Sequence, residues 1–259
     1  EPRYQAMMTM FLDRAIRHGA GRITVLYEHH RPHIAAGFAG QASIELRQGQ
    51  RVDVGHPHHN LNFKLPNLAA IDEPFLFLDA DMAVLADLQP LWNLRHDQPW
   101  IGVNHGWIER DPRTHRPPFL NSGLQLVGDP GFYDLKKILA VQDAAAPLSL
   151  GHSIPKDEMF ACPGTDQAVL FRYFQEMGYD YTHPLVGQAW NWCAAEVKLT
   201  YDGIDWHGLA HGEDVKIVHY WNPFKPWAIG CPLYASYVNF GERRGVSPPW
   251  EHKRGDSSA

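Results

Sequence analysis

Cysteine is scarce in this chain, and what there is forms no pattern. Cys162, Cys193 and Cys231 are the three present; they are odd in number, far apart and build no Cys-x-x-Cys pair. Neither a disulfide framework nor a zinc–thiolate site is indicated. Long apolar runs are missing too. None approaches the roughly 20 residues that span a bilayer as a helix, so no transmembrane segment is expected. No secretory leader is recognisable, and the expected location is the cytoplasm. The first residue is Glu1 rather than Met, so a further N-terminal piece is expected ahead of it. Positive charge is short as well, with 23 basic against 29 acidic residues, a formal net charge of −6 and no basic block. This argues against nucleic acid or an anionic membrane as the main partner. Any anionic ligand must then be held locally, by a few placed cations or by a metal.

What is present is enough for a core. Apolar residues make up 44% of 259, sufficient for one large α/β domain or two small ones and too many for a disordered chain. Histidine is frequent, at 16 residues. The clusters His29, His30, His33 and His56, His58, His59 nevertheless sit among Pro and Gly, without the i, i+4 pairing of a helical zinc site. They read as solvated loops.

The periodicity predicts a helix over Tyr4–Gly19, with Ala6, Met7, Met10, Phe11, Ala15 and Ile16 on one face, and a strand over Arg22–Glu28. A short helix over 34–40 and a strand over Ser43–Gln48 follow. Phe63–Ile71 reads as a short helix despite Pro66, and Phe75–Leu78 as a strand buried on both faces. Beyond it come a short helix at Pro90–His96, a strand at Trp100–Asn104 and a Pro/Arg-rich loop at Arg110–Pro118. Phe119–Gly128 has strand alternation interrupted by Asn-Ser-Gly. Helices are predicted over Phe132–Gln142 and Thr165–Gly178, the second capped by Thr165 with Asp166 in its first turn. Val215–Trp221 reads as a strand. Strands alternating with helices predict a mostly parallel sheet flanked by helices, with ligands beyond the carboxyl ends of its strands. Composition sets one domain over 1–240 and a polar tail over 241–259.

"FLDADMAVL" places Asp79 and Asp81 at the mouth of the Phe75–Leu78 strand. Two carboxylates one residue apart repel unless a cation sits between them. Projecting to one side of an extended strand, both can reach one hard divalent ion. Capping of a turn or helix is the other reading of the same residues.

Three further blocks accompany this one. "FKL…PFLFLDADMAVLADLQPLW", "FLNSGLQLV", "GTDQAVLFRYF" and "VKIVHYWNPFKPW" occur in this order across residues 63–227. Together they resemble the glycogenin-like retaining glycosyltransferases, glycosyltransferase family eight. The resemblance implies a single GT-A type Rossmann-like α/β domain with an irregular, acceptor-side C-terminal half. It implies Mn²⁺ (or Mg²⁺) held by Asp79, Asp81 and His219, and a UDP-sugar donor, UDP-glucose or UDP-galactose. Donor contacts fall on Lys64, Asp79, Ala80, Asn121, Ser122, Gly123, Asn222 and Lys225, and the catalytic pair beside the sugar ring on Asp166 and Gln167. Asn191 matches an acceptor-side asparagine. Trp190 and Trp192 offer faces on which an acceptor sugar can stack. The implied reaction moves a hexose to a glycan, glycolipid or small-molecule hydroxyl with retained configuration, by front-face attack rather than through a covalent intermediate on Gln167 or Asp166. Departures are Asn222 at a usual glycine, Pro163 at a frequent aspartate, and no recognisable self-glucosylated tyrosine. The nucleotide-binding strand that opens the family is expected ahead of Glu1.

Ordinary structure accounts for several of these residues as well. Lys64 and Lys225 can be solvated lysines, His219 a strand-end histidine, Asn121–Gly123 a strand bulge, and Asp166 with Gln167 an acidic first turn. Two other functions compete. A sugar-phosphate nucleotidylyltransferase also uses Mg²⁺, and no Gly-x-Gly-Thr-Arg loop appears from Glu1 onward. That loop follows a first strand, which is expected ahead of Glu1, so this alternative stays open. A non-catalytic carbohydrate- or nucleotide-binding protein would not need Asp79, Asp81, His219 and Lys225 together.

Overall fold

The computed structural model describes residues 2–32, 42–54, 59–104, 120–145, 166–221 and 224–242. The helix expected over 34–40, the loop at 110–118, the tail beyond 242, and His33, His56, His58, Cys162, Pro163, Thr165 and Asn222 lie outside these residues. His29 and His30 are exposed, as solvated loop residues should be.

Helix α1 (Pro2–Arg17) forms on a run whose apolar residues share one face, and Met7, Met10, Phe11, Leu12 and Ala15 are all buried. Gly19 ends it. Its φ of 99° is a left-handed conformation that glycine adopts without steric cost, and the Ala20 N–H then returns to the Ala15 carbonyl at 2.9 Å. Strand β1 (Arg22–Tyr27) pairs in parallel with β2 (Ser43–Gln48). Short helices α2 (His59–Asn62) and α3 (Lys64–Ala69) lead to β3 (Phe75–Leu78).

β3 serves two cores by its alternation. Leu76 and Leu78 pack with Met82, Ile101 and Leu126, while Phe75 and Phe77 pack with Leu65, Trp100 and Phe174. Both faces are therefore apolar, as expected, although each residue is only half-buried. After β4 (Met82–Val84), α4 (Gln89–Asn93) and β5 (Trp100–Asn104), the fully buried β6 (Leu120–Val127) runs between β3 and β5, antiparallel to both. Helices α5 (Leu135–Ala145) and α6 (Asp166–Met177) follow. β7 (Trp192–Cys193) precedes an antiparallel meander of β8 (Lys198–Tyr201), β9 (Trp206–Ala210) and β10 (Glu213–Val215). β11 (Ile217–His219) lies between β4 and β7, antiparallel to the first and parallel to the second. Helix α7 (Pro232–Glu242) closes on α1, with the Tyr234 hydroxyl donating to the Arg3 carbonyl at 3.1 Å and the Tyr237 hydroxyl to the Asp13 carboxylate.

The architecture is mixed α/β, as expected. Parallel pairing, however, is confined to β1–β2 and β7–β11 among the described strands, where strand–helix alternation predicts a mostly parallel sheet. An apolar run such as β6 is compatible with burial in either kind of sheet, so composition does not report its direction. The single strand expected over Val215–Trp221 is divided. β10 ends at Val215, Lys216 bonds the Ala189 carbonyl at 2.7 Å, and β11 begins at Ile217.

Arg14 couples α1 to the rest of the molecule. Only 2% of its side chain is exposed, and its Nε donates to the Val84 carbonyl at 2.8 Å while its guanidinium pairs with Asp205. A second guanidinium nitrogen stands 2.6 Å from His18 Nε2. Arginine only donates, so this nitrogen of His18 must accept and be unprotonated. Burial, and after it the Arg14 charge, push the imidazole down to about 4 against the partial opposition of Asp205. A folded-state value below the unfolded one means that the unfolded chain binds the proton more readily. The contribution is complete above the ordinary histidine range and is lost as pH falls toward 4. Between pH 7 and 5 the loss is expected to be about 1 kcal/mol, less than the full shift implies because solvent still reaches the ring. Urea unfolding of the wild type and His18→Gln at both pH values checks this: the variant should show a smaller loss.

Candidate functional site

The acidic pair lies in a turn, not in an extended strand. β3 ends at Leu78, and the Met82 N–H reaches back to the Asp79 carbonyl at 3.2 Å. The chain changes sheets here. The Asp79 N–H still bonds Gly123 of β6 at 2.8 Å, whereas the Asp81 carbonyl accepts from Tyr220, just beyond β11, also at 2.8 Å. Ala80 is exposed at the apex. The expected common side of a strand is therefore corrected to a common side of a turn, fixed by two different sheets.

β11 brings His219 to that turn. Its Nε2 stands 3.3 Å from Asp81 Oδ1 and 3.9 Å from Asp79 Oδ2, and one ligand atom from each of the three residues lies within 4.8 Å of the others. The imidazole is 6% exposed, Asp81 16% and Asp79 33%, so the group opens outward on the side of Asp79. Gly123 makes room for the ring. A Cβ there would stand 2.5 Å from His219 Cε1 and 2.8 Å from Met82 Cε, closer than carbon atoms approach. Two carboxylate oxygens and one imidazole nitrogen suit Mn²⁺, with Mg²⁺ favouring the oxygens alone. The residues present thus fit a divalent ion.

The two carboxylates differ electrostatically. Burial pushes Asp79 upward, helped by the like charges of Asp81 and Asp166, and Lys64 only partly offsets this. Burial acts on Asp81 in the same sense, but His219 and Lys225 outweigh it and hold the carboxyl down to about 2. Lys225 places its ammonium on Asp81 Oδ2.

Behind Asp79 lies a second charged group. Lys64, at the start of α3, has 9% of its side chain exposed and meets four acceptors. These are Asp79 Oδ1 at 3.1 Å, Asp166 Oδ2 at 2.9 Å, the Ser122 carbonyl at 2.9 Å and Ser122 Oγ at 3.3 Å. The Ser122 hydroxyl donates to Asp166 at 2.6 Å, and its N–H reaches Gln167 Oε1 at 3.2 Å. α6 thus brings its first two residues against the Asn-Ser-Gly interruption of β6.

That interruption is a bulge. β6 keeps pairing with β3 down to Leu124, but its register with β5 jumps from Gln125↔Gly102 to Asn121↔Val103. Asn121 Oδ1 accepts from the Gly123 N–H at 2.8 Å and closes the bulge on itself. Bulges re-aim side chains, and this one directs Ser122 toward Lys64 and Asp166. Gln125, fully buried, supports it by donating to the Ser122 carbonyl at 2.8 Å. Sequence reasoning passes over Gln125, and the one signal for it is a polar residue inside an otherwise apolar strand.

The expected acceptor residues are placed differently. Trp190 and Trp192 are 2% and 0% exposed, with Lys216 over the first ring at 4.5 Å and His211 stacked on the second at 5.6 Å. Such rings pack the interior and present no face to a sugar, which corrects the stacking expectation. Asn191 is 6% exposed, and its Oδ1 stands 3.0 Å from His219 Nδ1. Trp221, half-buried, lies beside the site, with its ring centroid 5.8 Å from that of His219.

No family model and no curated protein matches the chain. Solved structures do. An active-site mutant of LgtC superposes over 96% of this chain and 95% of its own, with a TM-score of 0.58 and 15% identity. Mouse xyloside xylosyltransferase 1, in its apo form, covers 86% of this chain and 94% of its own at a TM-score of 0.52 and 12% identity. Likeness at these identities is a likeness of fold: the chain has the GT-A type of α/β fold.

Proposed function

We propose that this chain is a metal-dependent, retaining glycosyltransferase that moves a hexose from a UDP-sugar to an acceptor hydroxyl. The observation that carries the reading is the convergence of Asp79, Asp81 and His219 within 4.8 Å at the junction of two sheets. A fold shared with a protein named as a xylosyltransferase supports it. Held by these three residues, Mn²⁺ or Mg²⁺ would supply positive charge to the donor diphosphate and to the charge growing on it as the sugar leaves.

The chain's own residues have separable tasks. Lys225, beside Asp81 and 19% exposed, is the cation suited to a diphosphate oxygen. Lys64 already meets four acceptors, and we assign it the task of holding Asp79 and Asp166 in place. Asp166 is 2% exposed and bonded to Lys64 and Ser122, which suits a fixed, already partnered charge better than a nucleophile. Gln167 accepts from the Ser122 N–H, and an amide oxygen is a weak nucleophile. Front-face attack by the acceptor, on the side of the departing diphosphate, therefore fits these residues better than a covalent intermediate.

The test is release of UDP from UDP-glucose, UDP-galactose and their N-acetyl forms, with and without Mn²⁺. At least one donor should turn over, slowly to water and faster with a sugar acceptor, and chelation should stop it. Release of pyrophosphate from a nucleoside triphosphate and a sugar phosphate, with no UDP-sugar turned over, would replace this reading with nucleotidyl transfer. Calorimetric binding of a UDP-sugar with no turnover would reduce it to a binding protein.

A further inference from the structure

We infer that Asn191 is a positioning residue for the metal centre, fixing which nitrogen of His219 faces the carboxylates. This rests on the metal reading above but concerns a residue that sequence reasoning assigns to the acceptor. The position decides it. Asn191 is 6% exposed, separated by 28 residues from His219 in the chain, and brought to it because β7 pairs in parallel with β11 in the register His219↔Cys193.

An amide oxygen only accepts, so Oδ1 at 3.0 Å requires that Nδ1 of His219 carry the proton. A neutral imidazole has one N–H. With that hydrogen on Nδ1, the lone pair is on Nε2, the atom 3.3 Å from Asp81 and 3.9 Å from Asp79. The other tautomer would aim an N–H between the carboxylates and could not ligate an ion there. Gly123 leaves room for the ring on one side, since a Cβ there would stand 2.5 Å from Cε1, and Asn191 holds it by Nδ1. Between them the ring has one orientation. A partner on the far nitrogen is what metal-ligating histidines generally require, and its loss typically lowers metal affinity by about 10- to 100-fold.

The experiment combines two measurements on the full chain. Long-range ¹H–¹⁵N NMR of metal-free wild type, at a pH where His219 is neutral, should show the proton on Nδ1. Mn²⁺ titration followed by electron paramagnetic resonance should give Asn191→Leu an affinity lower by about 10- to 100-fold. Asn191→Asp, which keeps an accepting oxygen, should bind within a few-fold of wild type and retain the nitrogen coupling of the ligated imidazole. A bare Nδ1 in the neutral wild type overturns the inference, and so does equal Mn²⁺ affinity in a folded Asn191→Leu chain. If the leucine variant does not fold, the wild-type tautomer decides alone. If wild type binds no Mn²⁺, the metal reading fails, and the tautomer still tells whether Asn191 orients the ring.

Discussion

Asp81→Asn is expected to remove metal-dependent donor turnover, with a loss on the order of 10³-fold or more and the fold intact. Asp81 is the carboxylate on which the cationic side of the site converges: His219 lies 3.3 Å from one oxygen, and Lys225 pairs with the other. These partners keep it ionised down to about 2, despite burial that opposes the charge. Asparagine has the same shape but no charge. Its NH₂ must face either an ammonium or the imidazole nitrogen that ligates. The charge near the metal falls by one, and Lys225 loses the partner that places it. Because the fold holds Asp81 ionised below its ordinary range, removing the charge also costs about 1–2 kcal/mol of stability near neutral pH, short of unfolding the chain. UDP release measured against Mn²⁺ concentration is the check. Turnover at the wild-type rate, with an unchanged Mn²⁺ midpoint, would remove Asp81 from the metal centre.

Much of this site is legible in the order of residues because each key group stands at the end of an apolar strand. Phe75–Leu78 announces β3, and the charges of Asp79 and Asp81 interrupt a run that burial would otherwise continue. His219 follows Ile217 and Val218 in the same way. The Asn-Ser-Gly break in β6 is visible as a fault in alternation, and the structure turns it into the bulge that aims Ser122. What could not be read is partnership across distance. Lys64 looks like a surface helix lysine until Ser122, 58 residues on, supplies two of its acceptors. Trp190 and Trp192 look like stacking platforms until burial covers both faces.

The β8–β10 meander was readable and is missed for another reason. Its inward residues Gly208, Ala210 and Val215 are small or isolated, so the apolar alternation is faint. The turn is the better signal: His211 (φ 51°) and Gly212 (φ 87°) both take left-handed angles, as a two-residue hairpin turn requires. α7 is missed because Leu233, Tyr234, Tyr237 and Val238 have helical spacing but no charged face to contrast with them.

Lys64→Met is expected to destabilise the chain by about 3–5 kcal/mol, the usual result of removing one partner from a buried ion pair. Since the whole stability of a domain is about 5–15 kcal/mol, the variant should be marginal at 37 °C. Methionine fills a similar volume over the Phe77 ring, where the lysine ammonium lies 4.5 Å from the centroid, so packing is not the main loss. Charge is. Burial draws the Lys64 ammonium downward, but Asp166 and Asp79 outweigh it and hold its pKa above the ordinary lysine value. A raised folded-state value means the contribution is complete below the ordinary lysine value and is lost only as pH climbs through the higher one. The lysine's own titration therefore adds no slope to wild-type stability between pH 5 and 9. In the variant Asp166, 2% exposed, keeps the Ser122 hydroxyl and loses its cation. Its carboxyl then rises in pKa, so the folded chain takes up a proton more readily than the unfolded one, and the variant gains stability as pH falls. That slope, which lost packing alone would not produce, separates lost charge from lost packing. Adding Asp166→Asn should recover most of the loss near pH 7, because the stranded charge is gone. Denaturant unfolding of the single and double variants at pH 5 and 8 measures both effects. A Lys64→Met chain within 1 kcal/mol of wild type at pH 8 would mean that Asp79 and Asp166 find their counter-charge elsewhere.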